Sequence, residues 1–269
     1  MLGEYSNVIT TVTSYVQHTL LTYQSTGFFD VITESIIFFN EIDETKKASV
    51  SHYPVRVIGS AQNVYVGRAM IALFRAARSP YCVFLEKDFS ILVSPSLVVP
   101  ELQQAVRTLQ TAQADIYQLR CLFKMGYPNW AILAYRGGED ALVAQNHTHL
   151  CTLASWINNT VERWPHIFQF CDKNDNAVSS QQRAVCVYSD HCNWTNNPFM
   201  ISRLLWTRHF EASLRRMLHR HEVTKNMSRH DRDANLVEPW FTAQEQDWRW
   251  QHFRVAVGPG IFTHHEVDG

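Results

Sequence analysis

The chain alternates short, unbroken apolar runs with longer amphipathic stretches. Residues 7–13 (NVITTVT) are β-branched and predict a first strand. A helix is predicted over 16–29, stopping near Gly27. Apolar runs at 35–39 (SIIFF), 55–58 (VRVI) and 81–85 (YCVFL) predict three further strands, and 115–122 (DIYQLRCL) predicts another. Between them, Met70, Ile71, Phe74 and Ala77 share one helical face that ends at Ser79-Pro80. Val98, Leu102, Ala105, Val106 and Leu109 form a second stripe after Pro95. Strands alternating with helices imply parallel β-α-β units with right-handed crossovers. The continuous runs at 35–39 and 81–85 fit strands buried on both faces. The expected class is α/β, with a Rossmann-type, mostly parallel sheet flanked by helices. Ligands of such sheets collect outside the carboxyl ends of the strands.

The second half is less regular. AILAY (131–135) and AVCVY (184–188) read as strands, and 204–218 can form a helix. The basic stretch from Arg215 to Arg232 loses apolar content toward its end and reads as a mobile loop, which could close over a diphosphate. Glu238-Pro239 opens a last helix carrying Trp240, Phe241, Trp248 and Trp250, since proline is tolerated in a first turn. The chain ends in FRVAVGPGIFTHHEVDG: a strand, a Gly-Pro-Gly turn and two histidines.

Composition narrows the classes. A chain of 269 residues suits one large α/β domain, and 46% hydrophobic with 18% charged residues is a globular balance. A formal net charge of -1 gives no footprint for nucleic acid. No apolar run is long enough to span a bilayer, and MLGEYSNVITTV lacks a basic region followed by an apolar core, so no signal peptide is expected there. The six cysteines include no CxxC pair, so a structural zinc site is not expected. Cys82 reads as a small buried hydrophobe, while Cys171, Cys186 and Cys192 are close enough for a disulfide or can be free thiols. The compartment expected is the cytoplasm. Sequons at Asn146, Asn158, Asn193 and Asn226 make the Golgi lumen the alternative.

Four stretches could carry chemistry. In YCVFLEKDF an apolar strand runs into Glu86-Lys87-Asp88. Alternate residues of a strand face one way, so Glu86 and Asp88 can share a site. Two such carboxylates repel unless a cation intervenes, and a hard divalent ion that also meets a diphosphate is the natural partner. In NVYVGRA, beginning at Asn63, Gly67 lets a backbone approach a ligand and Arg68 can meet phosphate or ribose. GPGIFTHH sets two histidines, His264 and His265, after a glycine-rich turn and an apolar pair. In CNWTNNPF, Trp194, Asn196 and Asn197 offer an aromatic face and amides to a sugar. His147, His149, His219 and His221 lack companion ligands and read as structural or surface residues.

The order NVYVGRA, amphipathic helix, SPYCVFLEKDF resembles the nucleotide-binding half of inverting, family-2-like glycosyltransferases with the GT-A fold. That family has an Asn-x-Gly element and an Arg before a helix, then an apolar strand ending in Asp-x-Asp. Here Glu86 replaces the first aspartate, and Asn40-Glu41-Ile42 stands where the family has Asp-Asp-Gly-Ser. The resemblance implies one GT-A-like domain, with 1–125 binding the nucleotide sugar and an irregular half, 126–269, binding the acceptor. It implies that Thr10, Thr11, Thr13 and Tyr15 contact the nucleotide, with Glu41 near base and ribose. Asn63, Gly67, Arg68, Glu86, Lys87 and Asp88 would complete the donor site. Asp88, Glu86 and His264 would hold Mn2+ (or Mg2+). The implied donor is a nucleotide-diphosphate sugar, with UDP the expected nucleotide, and the acceptor a glycan or glycoprotein hydroxyl. Glu238 is the first candidate for the general base, with Asp247, Glu245 and Asp140 as alternatives. Two rivals keep the fold. A sugar nucleotidyltransferase would want a Gly-rich loop after the first strand, and TTVTSYVQH has no glycine. A non-catalytic carbohydrate- or nucleotide-sugar-binding protein is kept open by Glu86.

Overall fold

The structure, a computed structural model, describes residues 5–11, 13–120, 143, 150–151, 154, 159–172, 183–192, 194, 197–223, 237, 241 and 252–264, with the backbone alone for 5–11, 13–15 and 220–223. The first half runs β1 (Tyr5–Thr11), α1 (Thr13–Ser25), α2 (Phe28–Val31), β2 (Glu34–Asn40), α3 (Glu44–Val50), β3 (Val55–Ser60), α4 (Tyr65–Ala76), β4 (Tyr81–Glu86), β5 (Phe89–Ile91), α5 (Pro95–Gln110) and β6 (Ile116–Arg120). Then come α6 (Thr160–Arg163), β7 (Gln169–Phe170), β8 (Val185–Tyr188), β9 (Phe199–Ser202), α7 (Arg203–Leu205), a π-helical turn at Trp206–Phe210, α8 (Glu211–Val223) and β10 (Arg254–His264).

Local signals explain most boundaries. Gly27, at φ 70°, turns the chain between α1 and α2, a conformation glycine adopts at no steric cost. Asp43 caps α3 by accepting the Lys46 amide at 2.7 Å. Pro95 sits in the first turn of α5, where its missing N–H does no harm. The strand segment 131–135 lies outside the described residues, as does the helix expected from Glu238 apart from Phe241, which is helical.

The strands form one sheet in the order β3-β2-β1-β4-β9-β6-β10-β8-β7, with β5 pairing off the path onto β10. β1 is parallel to β2 and β4, β2 to β3, and β6 to β10. β9 is antiparallel to both neighbours, β4 and β6, so those two also run the same way. Six strands therefore deliver their last residues to one edge: Thr11, Asn40, Ser60, Glu86, Arg120 and His264. The architecture is the expected α/β one, a central sheet covered by helices, with four parallel and five antiparallel pairings among the described strands. β9 and β10, from the second half of the sequence, belong to the same sheet as the first-half strands.

Alternation along β4 shows why its apolar run is unbroken. Cys82 and Phe84 enter the core on one face, and Val83 and Leu85 the core on the other. α4 and α8 cover the first face with Met70, Leu73, Phe74, Leu214 and Met217. α1 and α5 cover the second with Val16, Leu20, Val98 and Leu102. Disulfides join Cys151 to Cys192 and Cys171 to Cys186, so these four are not free thiols; Cys82 is free and buried, as its strand position implied.

Candidate functional site

The Glu-Lys-Asp motif is split by the end of its strand. β4 stops at Glu86, which lies opposite Thr10 of β1, and Lys87 and Asp88 form a turn into β5. β5 then pairs antiparallel with the end of β10, setting Phe89 opposite His264. That pairing brings His264 Nε2 to 3.2 Å from Asp88 Oδ2. Lys87 Nζ lies 3.6 Å from the same carboxylate oxygen. The Phe89 ring stands edge-on to the imidazole, with centroids 5.1 Å apart.

Asp88 is 8% exposed, and its Oδ1 is buried without a hydrogen-bond partner. Burial alone would raise this carboxyl. The His264 hydrogen bond and charge, then Lys87, outweigh burial and hold it below its ordinary value of 3.8. A buried carboxylate oxygen with no donor is costly unless something positive completes it. An aspartate oxygen and an imidazole nitrogen side by side at the carboxyl edge of the sheet suit a divalent cation that keeps its other positions open. Among the described residues, no group of three or more His, Cys, Asp or Glu side chains is arranged to hold a metal ion, so Glu86 does not join Asp88 and His264 in one cluster.

The turn is tied down from below by α1. Thr19 Oγ1 donates to the Lys87 carbonyl at 2.6 Å, and Tyr23 Oη donates to the Phe89 carbonyl at 2.6 Å. Thr22 Oγ1 accepts from the Ile91 amide at 3.1 Å. Residues 19, 22 and 23 lie on one helical face, so a single stripe of hydroxyls fixes alternate residues of the segment that carries Asp88. Burial, and then the Asp88 charge, push the Tyr23 phenol well above its ordinary range, so it stays a donor. This stripe stands in TLLTY as three hydroxyls at helical spacing, but the prediction of a helix over 16–29 gave them no role.

Other predicted donor residues spread along the same edge. Asn40 Oδ1 accepts the Val64 amide at 2.9 Å and so joins the end of β2 to the start of α4. Glu41 and Tyr65 both have positive φ, 54° and 63°, and such outliers gather at functional turns. Glu41 and Asn63 are exposed, and Asn63 caps its own turn by accepting the Tyr65 amide at 2.9 Å. Arg68 is exposed and lines a cleft of about 270 Å³ with Ile71, Arg215, Leu218 and His219. The backbones of Thr10 and Thr11 close β1, and those of Thr13 and Tyr15 open α1.

Two expectations need correction. Gly67 does not open the backbone to a ligand. It is buried, and an added Cβ would sit in ordinary contact with Met217 and Val237 at 3.4 Å, so the position faces packed side chains. Trp194 is not a sugar platform. It is 2% exposed, with Phe199, Phe210 and Phe241 rings at 5.1, 4.9 and 4.8 Å, and it belongs to the core. Asn197 is half-buried and accepts from Arg120 Nη1 at 3.1 Å. Asn196, His265 and the base candidates Glu238, Glu245, Asp247 and Asp140 lie outside the described residues, as does the basic stretch from 224 on.

No protein-family description and no curated protein matches the chain. Solved structures similar to it are distant. A glucosyl-3-phosphoglycerate synthase from Mycobacterium tuberculosis, in complex with Mn2+, UDP and glucosyl-3-phosphoglycerate, is 14% identical; the match covers 97% of this chain and 71% of that one, with a TM-score of 0.46. A mannosyltransferase from Pyrobaculum calidifontis, in complex with GDP-Man and Mn2+, is 12% identical over 43% of this chain and 35% of that one, with a TM-score of 0.36. A nucleotidyl transferase from Methanothermobacter is 13% identical over 43% of this chain and 62% of that one, with a TM-score of 0.33.

Arg120 was missed by sequence reasoning. It ends β6, its guanidinium lies 6.0 Å from the centre of the Phe89 ring, and it holds Asn197. The signal was available: a base closing a parallel strand, at the edge where ligands collect.

Proposed function

We propose that the chain is a metal-dependent glycosyltransferase that moves a sugar from a nucleotide-diphosphate sugar, with UDP the expected nucleotide, to an acceptor hydroxyl with inversion. The observation that carries this reading is the Asp88–His264 contact at 3.2 Å on the carboxyl edge, with Asp88 Oδ1 buried and unpartnered. Asp88 and His264 would hold the cation, Mn2+ or Mg2+, which supplies charge for a departing diphosphate. Lys87, 3.6 Å from the Asp88 carboxylate, adds a second positive group beside the same edge. Glu86, Glu41, Asn63 and Arg68 remain donor contacts in this proposal, as do Thr10, Thr11, Thr13 and Tyr15. The acceptor loses its proton to a carboxylate, with Glu238 first and Asp247, Glu245 and Asp140 behind it.

The test is a panel of UDP- and GDP-sugars, each incubated with Mn2+ and either the wild type or Asp88→Ala. One donor should be hydrolysed by the wild type and spared by the variant. Equal turnover by both proteins removes Asp88 from the reaction. Metal-dependent UDP binding with no hydrolysis of any donor would instead make the chain a binding protein.

The disulfides bear on compartment. Cystines persist where the surroundings oxidise, so Cys151–Cys192 and Cys171–Cys186 favour the luminal alternative over the cytoplasm. The four sequon asparagines, all outside the described residues, are consistent with that alternative. Among the described residues no helix is long and apolar enough to cross a membrane. Intact-mass measurement after denaturing alkylation tests the pairing: protein from secretory cells should take up at least four more alkyl groups with reductant than without, and equal uptake would overturn it.

A further inference from the structure

We propose that Glu101 is a positioning residue for the Asp88–His264 pair: its carboxyl group fills the hollow of a bulge in β10 and so sets where His264 arrives. The functional consequence rests on the reading of that pair as a metal site; the positioning itself does not.

β10 and β6 run in step from Val255 opposite Ile116 to Val257 opposite Gln118. The next matched pair is Phe262 opposite Arg120, so β10 advances five residues while β6 advances two. The surplus is Gly258-Pro259-Gly260. Beyond it, β10 takes up β5 as an antiparallel partner, with Thr263 opposite Ser90 and His264 opposite Phe89. A strand's side chains alternate, so a bulge one residue longer or shorter would turn His264 to the other face, away from Asp88.

Glu101 reaches into that bulge from α5. The Gly260 amide donates to its Oε1 at 2.9 Å, and Tyr117 Oη donates to the same oxygen at 3.2 Å. Gly260 has φ 71°, which favours glycine. At Gly258 a Cβ would run into the Tyr117 ring and the Glu101 carboxyl, so the backbone, the phenol and the acid are fitted to one another. Glu101 is 6% exposed, on the helix that gives Leu102 and Ala105 to the core. Burial, only partly offset by the Gly260 amide and the Tyr117 hydroxyl, pushes its carboxyl up to about 7. An acid at such a position is unfavourable unless its hydrogen bonds are needed. Both donors belong to the bulge or to the strand from which the bulge departs.

Two near-isosteric variants separate reach from charge. Glu101→Gln keeps the acceptor at the same reach, and Glu101→Asp keeps the acid but withdraws it by one methylene. The first readout is the His264 imidazole resonance in metal-free protein, identified by its loss in His264→Gln. It should overlay the wild type in E101Q and be displaced in E101D. The second is Mn2+ affinity by electron paramagnetic resonance, expected near wild type in E101Q and about tenfold weaker in E101D. Tyr117→Phe, which removes one donor, should displace the His264 resonance in the same direction by less, and it stands in for E101D if that variant does not fold. An undisplaced resonance in E101D, or in Y117F when E101D does not fold, overturns the proposal, as does equal displacement in E101Q and E101D. A wild type that binds no Mn2+ would sink the metal reading, while the resonance would still decide the role of Glu101.

Discussion

His264 comes within 3.2 Å of Asp88 because the end of β10, still opposite β6 at Phe262, also pairs with β5, the three-residue strand that follows the acidic turn. One side of the contact is thus held by α1 through Thr19, Thr22 and Tyr23, and the other by α5 through Glu101.

The two partners should act as a unit. Asp88→Asn and His264→Ala are each expected to lower donor hydrolysis by about 100-fold or more, and the double variant to lose little beyond the worse single one. The check is a double-mutant cycle on kcat/KM with the donor found in the panel. Fully additive losses would mean that the two side chains work at separate places.

Tyr23→Phe leaves the Phe89 carbonyl without its donor. The expected cost is about 1–2 kcal/mol in denaturant unfolding, with a further rise in the Mn2+ concentration needed for half-maximal hydrolysis. Thr19→Val, which strips the Lys87 carbonyl, should behave alike. A stability loss with unchanged metal dependence would confine α1 to the fold.

Glu101 makes stability fall with rising pH. Its carboxyl is raised from 4.5 to about 7 in the folded protein, so the folded state keeps its proton after the unfolded chain has released one. The penalty is absent below about 4.5, grows between 4.5 and about 7, and is complete above, with ~3 kcal/mol as its upper bound. Tyr117, with its own phenol pushed up by burial and then by Glu101, does not titrate in that window. In Glu101→Gln the slope should vanish, so the variant gains on the wild type from pH 5 to pH 8 in urea midpoints. Parallel curves across that range would contradict the assignment.

Trp194→Ala tests whether the indole is core or sugar platform. As a core side chain it should cost about 3–5 kcal/mol, and the protein should melt far below the wild type. A variant that melts normally but needs much more acceptor would restore the platform reading.

Much of the scaffold was legible in the sequence. SIIFF and YCVFL lack polar alternation because both faces of a central strand are covered, and the structure sends Phe84 one way and Leu85 the other. The stripes 70–77 and 98–109 became α4 and α5 because one apolar face per helix is all that burial against a sheet requires. The short strands were missed. β5 and β9 span three and four residues, too few to show a period, and they exist because neighbouring strands offer unpaired backbone. GPG was read as a turn because two glycines around a proline break strands locally. Within the sheet they form a bulge, since Glu101 and Tyr117 occupy the space that side chains would need.

The sequence by itself determined the α/β class, the approximate strand and helix order, and the placing of acids at the end of β4, because these follow from the spacing of neighbours in the chain. Tertiary structure alone decided that Asp88 rather than Glu86 meets His264, that Trp194 is core, that Gly67 is buried, and that four cysteines are paired. Those outcomes depend on which strand ends lie side by side and which faces are covered. Contacts between distant residues are set by sheet order and register, which local periodicity does not encode.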